Sequence, residues 1–229
     1  MPPRLAAFNR NFSEPASPQT LRSLDLFRAH HLDDFSLHLK SAVLLKRVRM
    51  YLSRHTVAAR KHVRPPVGYT VLNNAINDLL RTMPPPNPGE AISSDRLVAH
   101  ANTHLALINL HEFFTDSDDV QHDDYVRGRL QQGAQGMVFE VKEITAFAYD
   151  LALLHSQTFV CWAAAVVVFL KQLSASNLVP KADLASMQDD VEIILAALRK
   201  AGSTSRRAKR LADFCHMCRT GQLSLADLK

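Results

Sequence analysis

Three histidines in the stretch HANTHLALINLHEFF, His100, His104 and His111, are the residues whose type and spacing could do chemistry. At about 100° per residue they fall within a narrow arc of one helical face, so three imidazoles could converge on a metal ion or serve as an acid–base site. Apolar residues share that side: Leu97, Ala101, Leu107, Ile108, Leu110 and Phe114 flank the stripe, while Asn102, Asn109 and Glu112 are expected to point away. The histidines therefore face inward, and the choice is between a buried site and histidines satisfied within a core. HExxH is absent, His111 and Glu112 are adjacent rather than one turn apart, and no partner set of ligands is visible, so packing is the favoured reading.

Two other groups invite the same test. The segment CHMC, with Cys215 and Cys218, could be half a zinc site or a redox pair, but no second ligand pair or βαβ context accompanies it. Both thiols fall on the side of Leu211 and Ala208, opposite Arg206 and Lys209, which reads as burial. The cluster RRAKR, with Arg206, Arg207, Lys209 and Arg210, suits a nuclear-import signal or a phosphate patch as well as it suits a solvated helix face. No serine or cysteine triad, Walker loop or dinucleotide fingerprint is present, so no catalytic residue is assigned.

The elements that would position these residues are helices. With 7 Gly in 229 residues, 47% hydrophobic content and 3.6-residue periodicities throughout, the expected class is all-α, a bundle of about seven or eight helices. Residues 1–24, rich in proline, read as an arm, and 25–229 as one helical domain. Helices are expected over 35–54, in TVLNNAINDLLRTM, over 95–114, over 125–149 with Gly128, Gly133 and Gly136 marking a kink or a close helix contact, over 156–176, after Pro180 to Gly202, and from Ser203 or Thr204 to Gly221. In the first, Lys40, Arg47 and Arg54 recur every seven residues and read as a wet strip. The apolar run FVCWAAAVVVFL is about a dozen residues, short of the roughly twenty of a membrane span, and reads as the centre of the bundle. Three cysteines, Cys161 included, favour a reducing compartment, and a net charge of +5 suits a polyanionic neighbour.

Taken in order, DDFSLHLKSAVLLKRVRMY, HANTHLALINLHEFF, SQTFVCWAAAVVVFLKQL and ILAALRKAGSTSRRAKRLADF resemble the C-terminal part of the regulatory, or middle homology, domain of fungal zinc-cluster transcription factors. Phe35, Leu37, Lys40, Leu44, Leu45 and Val48 match one family helix pattern; His100 or His104, Leu110, His111 and Phe114 match another. The resemblance covers roughly residues 25–215. It implies a nuclear helical domain of an RNA polymerase II transcription factor, acting through contacts with transcription machinery or other regulatory proteins, or through effector-sensitive helix packing. Phe35, Leu45, Val48, Leu110, Phe114, Trp162 and Phe169 would be core, and a homodimer is a further expectation. The family's six-cysteine, two-zinc module has no counterpart here, so zinc and direct DNA readout would belong to a module outside this chain, which is then a fragment, a shortened gene product or a stand-alone regulator. Two rivals stand beside this reading: a helical enzyme or metal-binding protein using the 95–114 helix, and a nucleic-acid binder using Arg206 to Arg210.

Overall fold

A computed structural model describes residues 33–54, 67–83, 93–113, 120–175 and 181–224. The described residues are all-helical: α1 (Asp34–Arg54), α2 (Val67–Thr82), α3 (Ser94–Glu112), α4 (Val120–Ala146), a 3-10 turn (Leu151–Leu153), α5 (Ser156–Ser174), α6 (Lys181–Ala201) and α7 (Arg206–Arg219). The expected arm, residues 1–24, and Phe114 lie outside the described residues.

Local chemistry sets several of the boundaries. Ser93 caps α3, its hydroxyl accepting from the Arg96 amide at 3.2 Å, and Ser205 caps α7 in the same way. The α7 start is therefore one or two residues later than the expected Ser203 or Thr204. α7 ends at Arg219 with Gly221 at φ +71°, a left-handed position that glycine takes without strain. α4 begins earlier and ends earlier than the expected 125–149, since Asp123 and Asp124 fall within its bounds rather than before them. It stops at a turn in which Ala148 adopts φ 49°.

Two helices share the centre. α5 packs against α3, α4, α6 and α7, and α3 packs against α1, α2, α4 and α5. The expected centre, α5, is there: Trp162 and Phe169 have no exposed surface. α5 is long and apolar enough to cross a membrane, and 61% of that stretch is buried within the fold. The joint core also holds Leu45, Val48 and Leu110. Buried in full, each such side chain contributes on the order of 2 kcal/mol against leaving it in water.

Three expectations need correction. Phe35 is 66% exposed, not core, since it shares a helix face with Leu39, Ala42 and Lys46, opposite the buried Leu37, Leu44 and Val48. Lys40 is not part of a wet strip; it is 6% exposed, enclosed where α1 packs against its neighbours α2 and α3. Asn102 does not point away from the core but is 3% exposed, because α1 covers the side of α3 it occupies.

Candidate functional site

The structure gives the three histidines three separate surroundings. His111 is fully buried, its Nδ1 at 3.0 Å from the Tyr69 hydroxyl and its Nε2 at 3.2 Å from Asn73 Oδ1. Asn73 Oδ1 can only accept there, so Nε2 carries the hydrogen and Nδ1 accepts from Tyr69. His104 lies flat on Gly136 of α4: a Cβ built on that glycine would sit 2.1 Å from the ring. Burial, aided by His100, pushes the His104 imidazole down to about 3, so it is neutral. His100 lies near the start of α1, within electrostatic reach of Asp34. Among the described residues no three His, Cys, Asp or Glu side chains are grouped as a metal site. The close contact expected of the α4 glycines is real at Gly133 and Gly136, which let α4 approach Ile108 and His104 of α3.

Cys161, Cys215 and Cys218 are free and buried. Burial pushes all three thiols up, Cys215 to about 12, so none is a thiolate near neutral pH. Arg206, Lys209 and Arg210 stand exposed on α7, and exposed Arg207 donates to the Ser156 hydroxyl at 3.2 Å, tying the basic face to the first residue of α5.

A cleft of about 660 Å³ opens beside that point, between α1, α3 and the start of α5. His38, Ala42, Leu45, Lys46, Arg49, Met50 and Ser53 form its α1 wall, Val98 and Asn102 its α3 floor, and His155 and Gln157 its α5 end. Among the described residues its lining holds two cations, Lys46 and Arg49, and no carboxylate. The His38 Nδ1–H donates to Asp95 at 2.8 Å, and the His38 and His155 rings meet edge to face with centroids 6.0 Å apart. His155 caps α5, its Nδ1 accepting from the Gln157 amide, so the N-terminus of this 19-residue helix begins at the edge of the cleft. On the floor, the Asn102 amide nitrogen donates to Ser41 Oγ at 3.3 Å while its buried carbonyl oxygen has no partner among the described residues. Such an acceptor is normally satisfied.

The start of α1 is latched to the start of α3. Asp34 accepts from Arg96 Nε at 2.8 Å and from the Ser93 hydroxyl. Burial alone would push this carboxyl up, but the hydrogen bonds and the Arg96 charge outweigh it and hold it below the usual range.

Compared with known protein families, curated proteins and solved structures, the chain matches none.

The burial of two further groups was not foreseen from the sequence. Lys40 Nζ is enclosed with no acceptor among the described residues, and burial pulls its amine below the ordinary range. Glu140 of α4 is 3% exposed; burial pushes it up to about 8, opposed only by the Trp162 indole N–H, which leans toward the carboxyl without completing a hydrogen bond. Glu140, one of two glutamates in MVFEVKEITAF, and a lysine at a heptad spacing carry the ordinary signs of exposed residues, so nothing local singled them out. The cleft was equally hidden, since its residues come from three segments far apart in the chain.

Proposed function

We propose that this chain is a regulatory domain of a fungal transcription factor controlling transcription by RNA polymerase II in the nucleus. It acts through effector-sensitive helix packing and contacts with other regulatory proteins, and reaches DNA only through a zinc-cluster module outside this chain. The observation that carries the reading is the seating of α1. This helix is latched to α3 by Asp34, Ser93 and Arg96, yet it buries the Lys40 amine without an acceptor and walls a basic cleft. An unsatisfied buried polar group costs about 1–3 kcal/mol, so the docked position of α1 is held with a built-in conflict that a bound effector can tip. Leu37, Leu44, Leu45 and Val48, four residues of the resembling pattern, form the buried side of that helix.

The test places the full chain between a heterologous DNA-binding module and an activation segment and reads a reporter in yeast. The chain is expected to change the output of the fusion. Lys40→Met, which relieves the conflict, and Asp34→Ala, which opens the latch, are expected to move it in opposite directions. Output identical to that of the module without the chain, for the parent and both variants, refutes the reading.

A further inference from the structure

We infer that the outer face of α1 is the interface of a two-fold symmetric dimer, in which the same helix of a second copy docks antiparallel on it. Phe35, Leu39, Ala42, Lys46, Arg49 and Ser53 all stand exposed. Their alternating steps of four and three residues keep them in one line, the 3.5-residue seam by which helices pair. The seam lies opposite Leu37, Leu44 and Val48, which hold α1 to the bundle. It is unequal along its length. Phe35 and Leu39 are 66% and 47% exposed and with Ala42 make the first half apolar, whereas Lys46 and Arg49 make the second half basic. With Met50 at the flank, α1 carries three of the large apolar side chains exposed among the described residues, and no other element carries more than two.

Charge selects a second copy as the occupant. The helix opens on two carboxylates, exposed Asp33 and part-exposed Asp34, and carries Lys46 and Arg49 about three to four turns later. The acids and the bases that would answer each other are thus at opposite ends of one seam, and reversing the direction of the second helix brings them together. With the two-fold axis between Leu39 and Ala42, Leu39 packs on the partner's Ala42, Phe35 covers the stem of the partner's Lys46, and the partner's Arg49 reaches the carboxylates at the start of α1. Each contact occurs twice, as a two-fold interface requires. Ala42, the smallest residue of the seam after Ser53's polar end is set aside, falls where the two backbones come nearest. The two Lys46 ammonium groups are set about 16 Å apart along the axis, beyond the screening length of about 8 Å. A parallel pair has the reverse balance, since it places Lys46 and Arg49 against their own copies. Asp34 keeps its 2.8 Å bond from Arg96, so the dimer forms with α1 seated as it is.

The interface stands apart from the regulatory reading, since the reporter fusion can fail while the dimer forms. A single helix pair is at the small end of specific interfaces, so a dissociation constant on the order of 10–100 µM is expected. Sedimentation velocity of the full chain from about 1 to about 300 µM should show monomer giving way to dimer. Leu39→Lys, which sets two ammonium groups across the axis, and Arg49→Glu, which sets an acid against the partner's Asp33 and Asp34, should each weaken association at least about tenfold. Both change exposed positions, so each variant should melt like the parent. A short bismaleimide should join two copies of the Ala42→Cys variant and not two copies of the Ser53→Cys variant, because residue 53 is more than about 30 Å from its own copy in an antiparallel pair. The native cysteines are buried and do not compete. The inference is overturned by a chain still monomeric at the highest concentration, by a dissociation constant that Leu39→Lys or Arg49→Glu leaves unmoved, or by Ser53→Cys cross-linking as readily as Ala42→Cys. In a chain that stays monomeric, a Phe35→Cys thiol closed to maleimide would overturn it in favour of another segment of the same chain. Binding of an added acidic amphipathic peptide to that monomer would do so in favour of a different protein.

Discussion

Glu140→Gln should stabilise the protein, and by an amount that grows with pH. In the unfolded chain this carboxyl titrates near 4.5, whereas in the fold burial raises it to about 8. Between those values the folded state holds a proton that the unfolded state has released, so stability is fully present below about pH 4.5 and is lost as pH rises toward 8. Each unit of that separation corresponds to about 1.4 kcal/mol, which makes the penalty about 3 kcal/mol at pH 7 and less than about 1 kcal/mol at pH 5. Glutamine has nearly the same shape, can accept from the Trp162 indole, and has no proton to take up. Denaturant unfolding of parent and variant at pH 5 and pH 7 should therefore show the variant gaining about 2–3 kcal/mol more at the higher pH. A gain that is the same at both values, or a loss that deepens with pH, would refute the assignment of Glu140 as a carboxyl held protonated by its surroundings.

Further outcomes are expected from other features. His104 has the opposite sign: its folded value of about 3 lies below the ordinary 6.5, so its contribution is present above pH 6.5 and is lost as pH falls toward 3. Acting together, His104 and Glu140 should give a stability maximum between about pH 4.5 and 6.5, checked by thermal melts across pH. Lys40→Met should raise stability by about 1–2 kcal/mol, read as a higher denaturant midpoint, since it replaces an unpartnered buried amine by an apolar chain of similar length. Gly136→Ala should cost about 3 kcal/mol by driving a methyl group into the His104 ring, and the double variant with His104→Ala should recover much of that loss in a double-mutant cycle. Ala148→Gly should stabilise by up to about 1 kcal/mol, because glycine accepts the left-handed backbone without strain.

The helices were legible because their signals are local. Ser93, the glycine after α7 and the apolar period of α3 and α5 each act within a few residues, and the elements appear where those signals place them. The errors on α1 have one source. A helix wheel shows that Lys40, Arg47 and Arg54 are in line, but not that the packing of α1 against its neighbours will enclose the first of them. Asn102 was misplaced for the same reason, since α3 is covered on more sides than its apolar residues require. The three histidines were legible as inward-facing and not as separate. Their different partners, Tyr69 and Asn73 for His111, Gly136 for His104 and the start of α1 for His100, come from three other helices. The cleft is a product of tertiary packing alone, so no spacing within one segment could have announced Lys46, Arg49, Asn102 and His155 as neighbours.

The position of α5 in the chain bears on how the protein is made. While it leaves the ribosome, this helix is apolar enough to be taken for a membrane segment, and its cover comes from both directions: α3 and α4 have already been synthesised, α6 and α7 have not. Half a sheath thus waits for the rod, and the other half follows. A message truncated after α5 would release a polypeptide with that rod bare along one side, a substrate for chaperones or for misdirected insertion into a bilayer, whereas addition of the last two helices turns the same residues into the most protected part of the molecule.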